Sequence, residues 1–192
     1  YKFVSARPYR AADADGSLLD EGTLYVARFN DDGSGEWLAL APGVNGLTPE
    51  NGFADLADIL VNTRSAADQV GATKMDRPEW GAVDPATGQV YFTLTNNTRR
   101  SEEQRNAANP RGENHFGHII RWQEDGTHAA ERFQWDIFLL AGDQETGRDM
   151  NGEPLDQDAI LASPDGLWID PDRRVWIQTD ISESAVNTGV YA

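Results

Sequence analysis

The sequence predicts an all-β protein with one inserted helix, and three observations carry that prediction. Most segments are short, rich in aromatic and β-branched residues, and bounded by Gly, Asp, Asn or Pro. One stretch alone, over residues 53–70, repeats its apolar residues at a helical period. Finally, a strand-turn-strand unit occurs twice. Glu79-Trp80-Gly81-Ala82-Val83-Asp84-Pro85 lies over Asp165-Gly166-Leu167-Trp168-Ile169-Asp170-Pro171, and Val90-Tyr91-Phe92-Thr93 lies over Val175-Trp176-Ile177-Gln178.

In chain order, Tyr1, Phe3 and Ser5 alternate with Lys2 and Val4, the two-residue period of a strand. Residues 23–29 form a second strand, 30–35 a Gly-containing turn, and 36–41 the returning arm of a hairpin. The helix follows, with Phe53, Leu56, Leu60, Ala67 and Val70 on one side and Asp55, Asp58, Arg64 and Asp68 interleaved. Gly71 is its expected stop, because a helix commonly ends on a left-handed residue. A second set of strands covers 81–83, 89–95, 117–123 and 132–140, and a third begins at 167–169 and 175–179. Between them, 98–116 and 142–158 are polar and aperiodic, and long loops inside compact domains are more often functional or mobile than accidental.

Strand units repeated at a fixed period mark a β-propeller, here about two to three blades of one. In such a fold the innermost strand of each blade starts at one face of a central funnel. Glu79 and Asp165 hold the same position in the two copies, so both carboxylates are expected to converge there, where a cation would relieve their repulsion. The competing reading is that Asp165 opens an Asp-Gly turn and Glu79 pairs with Arg77. Trp80, Trp122, Trp135, Trp168 and Trp176 fall on strands and are expected in the core between blades.

Composition narrows the chemistry. Sixteen basic against 32 acidic residues give a net charge of −16, which repels nucleic acid and anionic membranes and attracts divalent cations. No cysteine is present, which excludes disulfides, thiolate nucleophiles and thiolate ligands within these residues. Oxygen ligands remain, and those suit hard cations such as calcium. No apolar run approaches the roughly 20 residues of a membrane-spanning helix. Both ends read as cuts: the chain opens on Tyr1 inside a strand pattern and closes on Gly189-Val190-Tyr191-Ala192 without a stop signal. His115 and His118 are spaced by three, but on a loop-to-strand junction, where hydrogen bonding is the expected role rather than zinc binding. Asp13-Ala14-Asp15-Gly16 and Asp149-Met150-Asn151-Gly152 lack EF-hand continuation and read as turns.

Five stretches together resemble the PhoX family of bacterial alkaline phosphatases. They are Leu19-Asp20-Glu21-Gly22-Thr23-Leu24-Tyr25-Val26-Ala27-Arg28-Phe29, Met75-Asp76-Arg77-Pro78-Glu79-Trp80, Asn109-Pro110-Arg111-Gly112, Gly117-His118-Ile119-Ile120 and Ser163-Pro164-Asp165-Gly166-Leu167-Trp168. The resemblance is collinear and covers the C-terminal portion of the family's chain. It implies a six-bladed propeller with a central cluster of ferric iron and calcium, hydrolysis of phosphate monoesters, and export by the twin-arginine route to the periplasm or beyond. It implies that Glu21, Glu79 and Asp165 are metal ligands and that Arg77 binds phosphate. The family's cysteine and further ligands would lie in an N-terminal half that these residues do not include. That half is then the chain's implied partner, and the chain alone is expected to be inactive and to self-associate.

The residues suit that chemistry. Phosphoryl transfer develops negative charge on equatorial oxygens, which cations and a two-oxygen guanidinium grip stabilise. Pro78 fixes the backbone between Arg77 and Glu79. Two alternatives stand beside it: a calcium-dependent propeller lactonase or esterase, and a non-catalytic segment whose carboxylates hold structural calcium. Arg77 discriminates, since a lactonase has little use for a clamp on a dianion.

Overall fold

The computed structural model describes residues 1–12, 14–180 and 190–191. They form two compact units. The first comprises Tyr1–Phe29, Gly35–Thr73 and Ala129–Arg132, and the second comprises Asn30–Ser34, Lys74–His128 and the described part of Phe133–Ala192.

In the first unit, β1 (Lys2–Ser5) pairs antiparallel with β2 (Gly22–Phe29), which pairs antiparallel with β3 (Ser34–Ala39). Gly22 is required by close approach: a Cβ there would lie 2.4 Å from the Phe3 ring and from the Val4 carbonyl. The expected single helix is instead two, α1 (Leu56–Val61) and α2 (Thr63–Gln69). Asp55 caps α1 by accepting from Asp58 N, and Asn62, at ψ 37°, breaks the helical path between the two. The break resets the helical phase, so no one stripe runs through 53–70. Leu56 and Leu60 are about half exposed, while Phe53, Ile59, Ala66, Ala67 and Val70 pack with Val26, Leu40 and Leu47 as the unit's core. Gly71 follows α2 at φ 78°, as its position predicts.

In the second unit, β4 (Pro78–Val83), β5 (Val90–Leu94), β6 (His118–Glu124) and β7 (Arg132–Leu140) form an antiparallel meander. A separate sheet joins β8 (Pro164–Ile169), β9 (Val175–Thr179) and β10 (Val190–Tyr191), in the order β10-β9-β8. The two sheets share a core of Tyr91, Ile119, Ala141, Leu161, Leu167, Ile169 and Ile177. Trp122 is buried between Phe92 and Phe133. Trp80 and Trp168 are not core: they are 57% and 58% exposed, and Trp168 alternates along β8 with Leu167 and Ile169, which belong to that cluster.

The repeat survives as geometry. Pro78 pairs with Leu94 and Gly81 with Phe92; in the other copy Pro164 pairs with Thr179 and Leu167 with Ile177. Each register therefore slips between the proline and the third residue after it, placing the same β-bulge in both hairpins. The Asp-Pro turns also match. Asp84, nearly buried, accepts from Ala86 N, Thr87 Oγ1 and Arg173 Nε, and Asp170 accepts from Arg174 N, Arg174 Nε and Trp176 Nε1. Burial alone would raise the Asp170 carboxyl, but the Trp176 and Arg174 hydrogen bonds hold it at about 2.

Candidate functional site

Strand β4 starts earlier than the apolar pattern indicates, at Pro78, so Glu79 and Trp80 are the bulged residues. Asp165 and Gly166 are their counterparts in β8. Bulges re-aim side chains, and here they act on the two carboxylates that the repeat singles out. Thr93 ties the copies together: its Oγ1 accepts from Trp80 N at 2.9 Å and lies 2.8 Å from the Asp165 carbonyl oxygen.

The repeat extends two residues further upstream than the alignment of Glu79 with Asp165. Arg77-Pro78 lies over Ser163-Pro164. Both residues before the proline are left-handed, Arg77 at φ 47° and Ser163 at φ 53°. Such backbone is uncommon outside glycine, and proline narrows its predecessor further. Each outlier costs of order 1–3 kcal/mol, and such strain clusters at functional sites. The carbonyls serve equivalent roles, Arg77 O accepting from Thr95 N and Ser163 O from Asp180 N.

What holds Arg77 in that conformation is its neighbour. Asp76 is fully buried and accepts from Asn97 Nδ2, Arg100 Nε and Asn114 Nδ2, while its own N–H donates to Asn109 Oδ1. Arg100 continues to the carbonyls of Lys74 and Gln104. His118, also buried, donates from Nε2 to Ala108 O at 2.8 Å and accepts at Nδ1 from Asn114 Nδ2 at 3.2 Å. That pattern makes it the neutral Nε2–H tautomer, and burial pushes its pKa down to about 4. The expected hydrogen-bonding role of His118 is thus what the structure places there. Loop 98–116 is thus tied, through Arg100, Asn109 and Asn114, to Lys74 and Asp76 just ahead of β4. Loop 142–158 is anchored likewise, by Arg111 donating to the carbonyls of Ala141 and Thr146. Within it, Asp149 accepts from Asn151 N and Glu153 N, the turn that the sequence predicts, and Asp15 caps a turn by accepting from Ser17 N. Asp13 lies outside the described residues.

The Arg77 side chain is exposed. Its Nη1 donates to Asn96 Oδ1 at 2.6 Å and its Nη2 lies 3.5 Å from Glu79 Oε1. The Arg77–Glu79 pairing foreseen as the plainer alternative is therefore present. Asp165 is partly buried, and among the described residues no hydrogen bond to its carboxylate is found. Glu21 is exposed, immediately ahead of β2 in the first unit. Sequence reasoning missed Asp76, Asn96 and Ser163; carrying the repeat back to Arg77-Pro78 would have found Ser163.

The family model for alkaline phosphatase PhoX matches residues 1–191. The chain belongs to the PhoX family. Among solved structures it is similar to Pseudomonas fluorescens PhoX in complex with vanadate, a transition state analogue, at 42% identity and a TM-score of 0.86. That match covers 97% of this chain and 35% of the other, so this chain spans about a third of that PhoX. No curated protein matches. The partial propeller read from the repeat is consistent with the PhoX fold. PhoX relatives imply metal cofactors, and Glu21, Glu79 and Asp165, the carboxylates expected as ligands, offer oxygen donors of the kind that suits hard cations. They fall short in number, since no three carboxylate or imidazole groups converge on one point among the described residues.

Proposed function

We propose that this chain forms the phosphate-gripping part of a metal-dependent phosphomonoesterase. The observation that carries the reading is the pair of matched strand starts in the second unit. Each consists of a left-handed residue, a proline and an acid at a β-bulge, and Arg77 occupies one of them. A guanidinium held at that turn offers two parallel donors to a phosphate monoester dianion and keeps them as charge builds on the equatorial oxygens. Glu79 and Asp165, at the bulges of the second unit, would hold calcium or ferric iron, and Glu21, in the first unit, would likewise serve as a metal ligand. Such ions, when bound, supply Lewis-acid charge to the phosphoryl oxygens. A lactone is neutral and would leave Arg77 without a dianion to clamp, which disfavours a lactonase.

The chain is one segment of a longer propeller in this reading, acting in the periplasm or outside the cell. Among the described residues no helix is long and apolar enough to cross a membrane. Prepared alone, the 192 residues supply too few ligands for turnover, and exposed Trp80 and Trp168 favour self-association. The test is hydrolysis of p-nitrophenyl phosphate by the complete protein before and after chelation. Turnover lost on chelation and restored by calcium and ferric salts is expected. Undiminished turnover in the chelated protein would contradict the reading.

A further inference from the structure

We infer that Asn96, braced by Ser163, is a positioning residue for the Arg77 guanidinium; this rests on the proposed role of Arg77. A guanidinium only donates, so the Asn96 side-chain oxygen must face Arg77 Nη1, at 2.6 Å. That choice leaves the amide nitrogen pointing the other way, where it donates to Ser163 Oγ at 3.2 Å. Ser163 is in turn fixed by its backbone: its N–H donates to Phe116 O at 2.7 Å, its carbonyl accepts from Asp180 N at 2.9 Å, and its φ is 53°.

The relay therefore runs between equivalent places in the two copies. Arg77 and Ser163 are the left-handed residues that precede proline in each, and Asn96 spans from one to the other. Glu79, on the other side of the guanidinium, is a looser contact at 3.5 Å. A long, exposed arginine gripped at one Nη by a braced amide loses rotamers before a phosphate arrives, which lowers the entropy cost of binding. Asn96 itself need touch no substrate.

The test is a double-mutant cycle in the complete, metal-loaded protein, comparing Asn96→Ala, Arg77→Ala and both together. Inhibition by inorganic phosphate is read beside turnover of p-nitrophenyl phosphate. Asn96→Ala is expected to weaken phosphate inhibition and kcat/KM about tenfold, the usual scale for one hydrogen bond to a charged group. On the Arg77→Ala background the same change should cost almost nothing, and metal content should stay constant. Ser163→Ala, which leaves the Asn96 oxygen in place, should show a smaller loss of the same kind, and it serves as the variant if Asn96→Ala misfolds. Equal losses from Asn96→Ala with and without Arg77 would overturn the inference, as would no loss in either. If Arg77→Ala itself keeps full activity and phosphate inhibition, the proposed role of Arg77 fails instead.

Discussion

Arg77 shows how little a residue's own exposure says about how firmly it is placed. Its side chain is in solvent, yet the preceding Asp76 is fully buried with Arg100 and three asparagines around it. Removing one member of such a buried pair strands the other, so Asp76→Ala should destabilise the second unit by about 3–5 kcal/mol, read from denaturant midpoints. His118 gives a pH signature. Its folded pKa of about 4 lies below the ordinary 6.5, so the unfolded chain takes up a proton that the folded chain refuses. The His118 contribution to stability should be flat above pH 6.5 and fall as pH drops toward 4, with a slope approaching ~1.4 kcal/mol per pH unit. Unfolding free energies of the native chain and of His118→Gln across that range check this, the variant showing a shallower fall by that amount. Asp170 acts lower still: held at about 2 against an ordinary 3.8, its contribution is present above 3.8 and lost below. The spacing of the repeat singles out Glu79 and Asp165 in the sequence, whereas Glu21 and Arg77 are marked by the family resemblance alone. Asp76 and Asn96 were not. Their partners come from loop 98–116 and from the second copy of the repeat, and no local pattern announces such contacts.

At the scale of elements, the strands were legible because alternation and turn residues bound them closely. The β-bulge was not, because a slip in register leaves no mark in hydrophobic pattern. It nonetheless places Glu79 and Asp165 inside the strands rather than ahead of them. The helical segment failed in the opposite way. Its apolar residues fit one period across 53–70, but Asn62 breaks the backbone and turns Leu56 and Leu60 outward. Gly117 joins the long loop to β6 at φ 80°, where a Cβ would lie 2.1 Å from Thr95 O. Gly117→Ala should therefore cost more than the usual ~1 kcal/mol of a left-handed alanine, since the β5 backbone must also give way. A lowered thermal midpoint is expected, and an unchanged value would show that the loop end can move.

For the whole molecule, family membership follows from the match over residues 1–191, and the partial-propeller fold is consistent with Pseudomonas fluorescens PhoX, of which this chain spans about a third. If Arg77 grips phosphate while Glu79 serves a cation, metal content and p-nitrophenyl phosphate turnover of Arg77→Lys and Glu79→Gln, measured side by side in the complete protein, will separate the two roles. Lysine keeps the charge but loses the two-oxygen fork, so Arg77→Lys should retain its metals and lose on the order of 10²-fold in kcat. Glu79→Gln replaces a carboxylate by a poorer ligand for hard cations and should lose metal together with turnover. Full activity in both variants, or metal lost from Arg77→Lys and kept by Glu79→Gln, would contradict the account.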